Sequence, residues 1–290
     1  MKIGIFGSDY QADKQQIIKQ LFDRLAAQHA ALWVEKHFYR FLTEKISFYP
    51  DIQGIIESNK FDLDMVISLG GDGTFLRTAA WVGNQNIPVL GINTGRLGFL
   101  ADIDAADMDA ALDEIFQNNY RLEERILLQL NASFDLHKNC PYALNELAIL
   151  KRDTSSMIAV STYLNDVFLT KYWADGLLIA TPTGSTAYNL SVNGPIILPP
   201  SNHIVLSPVA PHALNVRPLV IPADYKIRMV VESRSKTFLV SLDGRSETVH
   251  SGCEFCVQKA DFKIKLIKRQ QQNFYKTLRK KLMWGSDVRQ

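Results

Sequence analysis

The sequence predicts an α/β amino-terminal domain with a parallel sheet, followed by a β-rich carboxy-terminal domain. Three observations carry that expectation. Over roughly the first hundred residues, short apolar runs alternate with helical periodicity, the pattern of β-α units. Beyond residue 100 the helical period nearly vanishes and short strand patterns follow one another. Glycine-rich turns close two of the early runs, at Gly70 and Gly95. Both fall on the carboxyl edge of the sheet, where open α/β sheets bind ligands. The expected divisions are 1–103, 104–271 and a closing segment, 272–290, that packs back on the first domain.

Lys2 to Gly7 reads as a first strand ending in a glycine turn. Gln11 to Ala27 follows as a helix with Ile17, Ile18, Leu21, Phe22 and Leu25 on one face. A second β-α pair is expected around Ala31 to Thr43, and further strands at Asp64 to Leu69 and Ile87 to Ile92. Ala105 to Phe116 reads as an amphipathic helix burying Met108, Leu112, Ile115 and Phe116. Strand patterns then run over Arg125 to Phe134, Tyr142 to Leu150, Ile158 to Leu164 and Val167 to Tyr172. They continue over Leu177 to Ala180, Lys226 to Glu232, Thr237 to Leu242 and Phe262 to Ile267. Asn165-Asp166 and Asp243-Gly244 are two-residue hairpin signals. Phe274 to Trp284 reads as a closing helix.

Composition excludes several classes. Apolar content of 47% and charged content of 21% suit a globular protein, and a net charge of +2 gives no basis for a nucleic-acid surface. Three cysteines are too few for a disulfide framework. The lone pair Cys253-Glu-Phe-Cys256 lacks the second pair or spaced histidines of a zinc site, and His203, His212 and His250 lack ligand spacing. The chain opens directly into a strand pattern, and no run approaches a membrane span. A cytoplasmic protein with no nucleic-acid or membrane partner is expected.

Chemistry concentrates in two stretches. In the first, the run Met65 to Leu69 ends in Gly70-Gly71-Asp72-Gly73-Thr74, with Phe75 to Trp81 as a helical stretch that Thr74 is placed to cap. Glycines there permit positive φ and close approach of backbone N–H groups, and a helix amino terminus favours phosphate. Asp72 is then a carboxylate where an anion is expected, suited to a hydroxyl or a metal; a solvent-facing turn acid is the plainer alternative. The second stretch is Ala174-Asp175-Gly176, an apolar strand, then Thr181-Pro182-Thr183-Gly184-Ser185-Thr186-Ala187-Tyr188, with Ser191 and Gly194 following. Its hydroxyls donate and accept, as a purine edge and phosphate oxygens require, and Tyr188 offers a flat face to a base. A helix junction capped by Thr183 or Ser185 would explain the same residues. Neither the P-loop pattern nor the dinucleotide fingerprint G-x-G-x-x-G occurs at the glycine turns.

Taken in order, Gly70 to Thr74, Asn93-Thr94-Gly95-Arg96-Leu97-Gly98-Phe99, Asn145-Glu146, Asp175-Gly176 and Thr181 to Tyr188 closely resemble the NAD kinase family. The matching blocks span Asp64 to Pro195; Ala174 stands where family members often have glycine. The resemblance implies a Rossmann-like first domain, a β-rich second domain, and an NAD site between them. It implies phosphoryl transfer from ATP to the 2′-hydroxyl of NAD's adenosine ribose, with a divalent metal (Mg2+ or Mn2+), in a homodimer or homotetramer. It places Asp72 at the reactive hydroxyl, Gly73 at the diphosphate and Phe99 in the pocket wall. Asn145 and Glu146 would meet adenosine and ribose groups, and Asp175 the nicotinamide end. Thr183, Thr186, Ala187 and Tyr188 would frame the adenine, with Ser191 nearby, while Arg96 and Arg245 are candidates for phosphate. A free carboxylate, with a pKa of about 3.9, is a weak base at neutral pH, so Asp72 is read chiefly as orienting the hydroxyl and accepting its proton late. The alternatives are a lipid or sphingoid-base kinase sharing the glycine turn, and a dinucleotide-binding protein without catalysis.

Overall fold

The computed structural model describes residues 1–9, 12–95, 98–132, 136–138, 140–152 and 156–285. It divides into two compact units, Met1–Glu124 with Ile264–Gln290, and Arg125–Lys263.

In the first unit a parallel sheet runs in the order Gly54–Ile56, Ala31–Glu35, Lys2–Gly7, Met65–Leu69, Val89–Asn93. Leu266, near the end of the long strand Glu254–Arg269, pairs parallel with Val89. Met65–Leu69 and Val89–Asn93 are buried throughout, as continuous apolar runs in a covered parallel sheet should be. The helix Gln15–Ala27 buries Ile18, Leu21, Phe22 and Leu25 and follows a short 3-10 turn at Ala12–Lys14; Gln11 lies outside the described residues. The helix Met108–Phe116 buries Met108, Leu112 and Ile115 in the same core, with Phe116 half-buried at its margin. Arg24 of the first helix pairs with Asp113 of this one. The unit therefore runs on through Glu124 rather than stopping at residue 103, because this helix has its apolar stripe in the first core. The helix Phe274–Leu282, capped by the Asn273 side chain, belongs to this unit as well.

The second unit holds two antiparallel arrays. One orders Val167–Ala174, Ile158–Leu164, Ile227–Ser233 and the start of Glu254–Arg269. The other orders Leu219–Pro222, His203–Val209, Gly176–Ala180, Glu146–Lys151, Thr237–Leu242 and Arg245–His250. One core, including Leu147, Ile149, Ile179, Leu206 and Phe238 with Val160, Met229 and Phe255, joins side chains of both. Both hairpin signals hold: Asn165 and Asp166 have φ of 48° and 66°, Asp243 and Gly244 of 49° and 81°, the left-handed pair such turns need. The strands at His203–Val209 and Leu219–Pro222 carry prolines that hide them in the sequence. Pro208 lies opposite Leu177 on one side and is tolerated because on the other side it lies beyond the residues, His203 to Leu206, that pair with Leu219–Pro222.

Candidate functional site

The buried strand Met65–Leu69 delivers the chain into the glycine turn, where the Gly70 N–H donates to the Ile92 carbonyl of the adjacent strand. Helix Asp72–Val82 begins at Asp72 itself, with Gly71 in the capping position and no side-chain cap. Thr74 is thus inside the first turn rather than before the helix, and its carbonyl accepts from Thr78 Oγ1. Nor does the turn use left-handed backbone at Gly71, whose φ is −97°. What Gly71 and Gly73 provide is space: a Cβ on either would meet nothing within 4 Å.

Asp72 is half-buried, with its carboxylate tied to the protein. Its Oδ2 accepts the Phe99 N–H at 2.9 Å, and its Oδ1 accepts the N–H groups of Leu100 and Ala101, both at 3.0 Å. The carboxylate thereby clamps the loop that follows Val89–Asn93. Gly98 makes the clamp possible, since a Cβ there would lie 2.7 Å from Asp72 Cγ and closer still to Oδ1. The fourth donor is Lys281 of the closing helix, with Nζ 3.4 Å from Oδ2 and 4.8 Å from the Phe99 ring centroid. Phe274, at the start of that helix, has its ring 5.8 Å from that of Phe99.

In the second unit the Asp243-Gly244 hairpin does more than turn the chain. Asp243 Oδ2 accepts the Leu144 N–H at 2.7 Å, while Oδ1 accepts those of Asn145 and Glu146 at 2.9 and 3.1 Å. Two atoms in this loop, Asn145 Oδ1 and Glu146 Oε2, are buried with no hydrogen-bond partner. Burial, and then the charge of Asp243, push the Glu146 carboxyl up to about 8. Burial raises Asp243 as well, but three amide donors and the Arg245 guanidinium act against it. Burial thus pushes both carboxyls toward the neutral form, and Glu146, near 8, keeps its proton at neutral pH.

The hydroxyl-rich stretch packs beneath this loop. Thr181 Oγ1 donates to the Leu144 carbonyl at 2.6 Å and accepts the Gly184 N–H at 3.1 Å. Gly184 is pressed against Asn145, where a Cβ would lie 2.8 Å from Cα and nearer the carbonyl. Ser185 Oγ donates to Pro182 and accepts the Ile197 N–H, so neither Ser185 nor Thr183 makes a side-chain helix cap. Buried Thr183 receives Arg125 Nη1 at 3.3 Å. Thr186 and Ala187 are half-buried, and Tyr188 and Ser191, both exposed, bound a short helical turn. Asn189, which sequence reading passed over, ties the stretch together through Ser185, Pro195 and Ser207.

Two further expected residues have protein partners. Asp175 forms an ion pair with Lys151 at 2.7 Å. Arg245, expected toward phosphate, directs its guanidinium at the carbonyls of Leu242, Cys140 and Tyr142 and so braces the segment before Asn145. Arg96 lies outside the described residues. Asp243, Arg125 and Lys281 were missed as site residues; only the hairpin signal at Asp243 hinted at one of them. Among the described residues no group of three or more His, Cys, Asp or Glu stands together. No helix among them is long and apolar enough to cross a membrane.

Comparison with known proteins accounts for both units. Residues 3–120 match the ATP-NAD kinase N-terminal domain and residues 144–269 the ATP-NAD kinase C-terminal domain. The chain is 53% identical over 289 residues to an NAD kinase of Bacteroides fragilis, covering 100% of both chains. It is 46% identical over 288 residues to one of Porphyromonas gingivalis, covering 99% of each. Among solved structures, yeast NADH kinase complexed with NADH aligns with a TM-score of 0.88 at 21% identity, over 99% of this chain and 88% of that one. An Archaeoglobus fulgidus NAD kinase in complex with ATP aligns with a TM-score of 0.76 at 23% identity, over 97% and 99%. These two establish the likeness of fold, and the matches along the whole sequence establish the rest: the chain belongs to the ATP-NAD kinase family.

Proposed function

We propose that this chain transfers the terminal phosphoryl group of ATP to the 2′-hydroxyl of the adenosine ribose of NAD, giving NADP. The observation that carries the reading is Asp72, an acid fixed by three amides at the head of a helix, beside open space at Gly71 and Gly73, in a chain of this family. Phosphoryl transfer passes through a loose transition state, so positioning and charge neutralisation outweigh base strength. Asp72 orients the ribose hydroxyl and takes its proton as the new O–P bond forms. The gap at Gly73 admits the diphosphate, and Phe99 lines the pocket. Unpartnered Asn145 Oδ1 is an acceptor for an adenosine donor, and protonated Glu146 is a donor for a ribose or base oxygen or nitrogen. Thr183, Thr186, Ala187 and Tyr188 frame the adenine with Ser191 at the rim, and Asp175 lies toward the nicotinamide.

A divalent ion, Mg2+ or Mn2+, would be held mainly by the substrate phosphates and water, as magnesium prefers, and would offset phosphate charge. The yeast neighbour holds NADH and the archaeal one ATP, which supports nucleotide substrates of this class. A cytoplasmic homodimer or homotetramer completes the proposal.

The test is incubation with ATP, magnesium and NAD, followed by an NADP-specific cycling assay, with NADH and diacylglycerol as parallel acceptors. NADP formation supports the reading. A phosphorylated lipid in its place favours the lipid-kinase alternative, and tight NAD binding without product favours a non-catalytic binder. Asp72→Asn should keep NAD binding and lower kcat by about 10²-fold or more; near wild-type turnover would remove Asp72 from this role.

A further inference from the structure

The carboxylate of Asp72 has about four lone-pair positions. Three are filled by backbone amides at 2.9–3.0 Å, groups that belong to the folded loop and cannot leave without unfolding it. A substrate hydroxyl that donates to this carboxylate therefore needs the fourth. That position is held by Lys281 Nζ at 3.4 Å, the longest of the four contacts and the only one carried on a flexible side chain.

Building on the reaction proposed above, we propose that Lys281 is a mobile cation of the phosphoryl-transfer site. It occupies the acceptor position on Asp72 until the ribose hydroxyl displaces it, and then rests against the oxygens of the transferred phosphoryl group. The surrounding chemistry supports the assignment. The amides of Phe99, Leu100 and Ala101 are committed to Asp72 and cannot bind phosphate. Arg77, on the same helix as Asp72, donates to the Gly7 carbonyl at 2.6 Å, and Lys280 is paired with Asp104. Lys281 retains a partly exposed ammonium over the face of Phe99, a cation–π seat that leaves it free to swing on its four-carbon stem. In the step itself the ribose oxygen bonds to the γ-phosphorus and the bond to the β-phosphate oxygen breaks. The hydroxyl proton passes to Asp72, ADP departs with the electron pair, and Lys281 offsets charge without changing its bonding.

The experiment measures kcat, the KM values for NAD and ATP, and the thermal midpoint for full-length Lys281→Gln, Lys281→Arg and Lys280→Gln. We expect Lys281→Gln to lower kcat by about 30-fold or more and raise the KM for ATP, with the KM for NAD and the midpoint near wild type. Lys281→Arg should recover much of the loss, and Lys280→Gln should behave as wild type. A Lys281→Gln enzyme with wild-type kcat overturns the proposal. So does a loss that follows a lowered midpoint and is not recovered by arginine, since Lys281 would then only anchor its helix. If the glutamine variant fails to fold, Lys281→Met, which keeps an apolar stem, decides: a lowered kcat with a near wild-type midpoint supports the role, and wild-type constants refute it. A wild-type protein that makes no NADP would instead end the parent reading.

Discussion

Gly98 and Asp72 are in such close contact that no side chain fits between them: a Cβ on Gly98 would stand 2.7 Å from Asp72 Cγ. The Gly98 N–H also closes its own loop by donating to the Ala101 carbonyl at 3.1 Å. Gly98→Ala must therefore push the carboxylate away from the amides of residues 99–101. Misplacing a reacting group by about 1 Å reduces rate about 10²-fold, and we expect a kcat loss of that order with the NAD affinity little changed. Steady-state kinetics beside isothermal titration will check it; unchanged kcat would show that the clamp does not position Asp72.

Glu146 makes stability depend on pH. Its carboxyl sits near 8 in the fold against 4.5 for the ordinary group, so folding retains a proton between those values. Stability from this source is complete below about 4.5, declines as pH rises, and is gone above about 8. Glu146→Gln removes the titration. Thermal midpoints at pH 6 and pH 9 should differ more in the wild type than in the variant, and equal differences would contradict the assignment.

Asp243→Asn replaces one acceptor oxygen with a donor facing amides of residues 144–146. A charged-acceptor hydrogen bond is worth about 1.5–3 kcal/mol, and the loop carrying Asn145 should loosen accordingly. We expect a KM for NAD raised about tenfold, since roughly 1.4 kcal/mol corresponds to one decade. The charge that helps hold the proton on Glu146 also disappears, so the decline in stability with pH should shift downward. An unaltered KM would leave Asp243 as a turn residue only.

Lys268 and Asp102 form a buried ion pair at 2.6 Å, with side chains 4% and 7% exposed. Lys268→Met strands a carboxylate in the first core and should lower unfolding free energy by about 3–5 kcal/mol, whereas Lys268→Met with Asp102→Leu should recover much of that. Urea denaturation with an unchanged m-value will measure both.

Much of this molecule could be read before any coordinates. Alternating apolar runs located the parallel strands and their helices, and the dipeptides at Asn165 and Asp243 marked true left-handed hairpins. Strands with proline, such as His203–Val209, went unread because the tolerance for Pro208 depends on how far the neighbouring strand extends. The domain limit at 103 was wrong for a similar reason: the stripe on Met108–Phe116 shows that it is buried, not in which core. Arg245 looked free for phosphate, since nothing local announces three carbonyl partners, two of them over a hundred residues away.

The family, the reaction class and the order of the blocks that carry it are legible in the chain alone, because motif spacing and periodicity are local properties. What the two aspartates hold emerges only on folding. Asp72 reaches amides 27 to 29 residues downstream, and Asp243 reaches amides 97 to 99 residues upstream. Backbone N–H groups are nearly identical at every position, so no residue type signals which of them a distant carboxylate will find. That choice belongs to the packing of strands and helices, which also brings Lys281 from the far end of the chain to the same carboxylate.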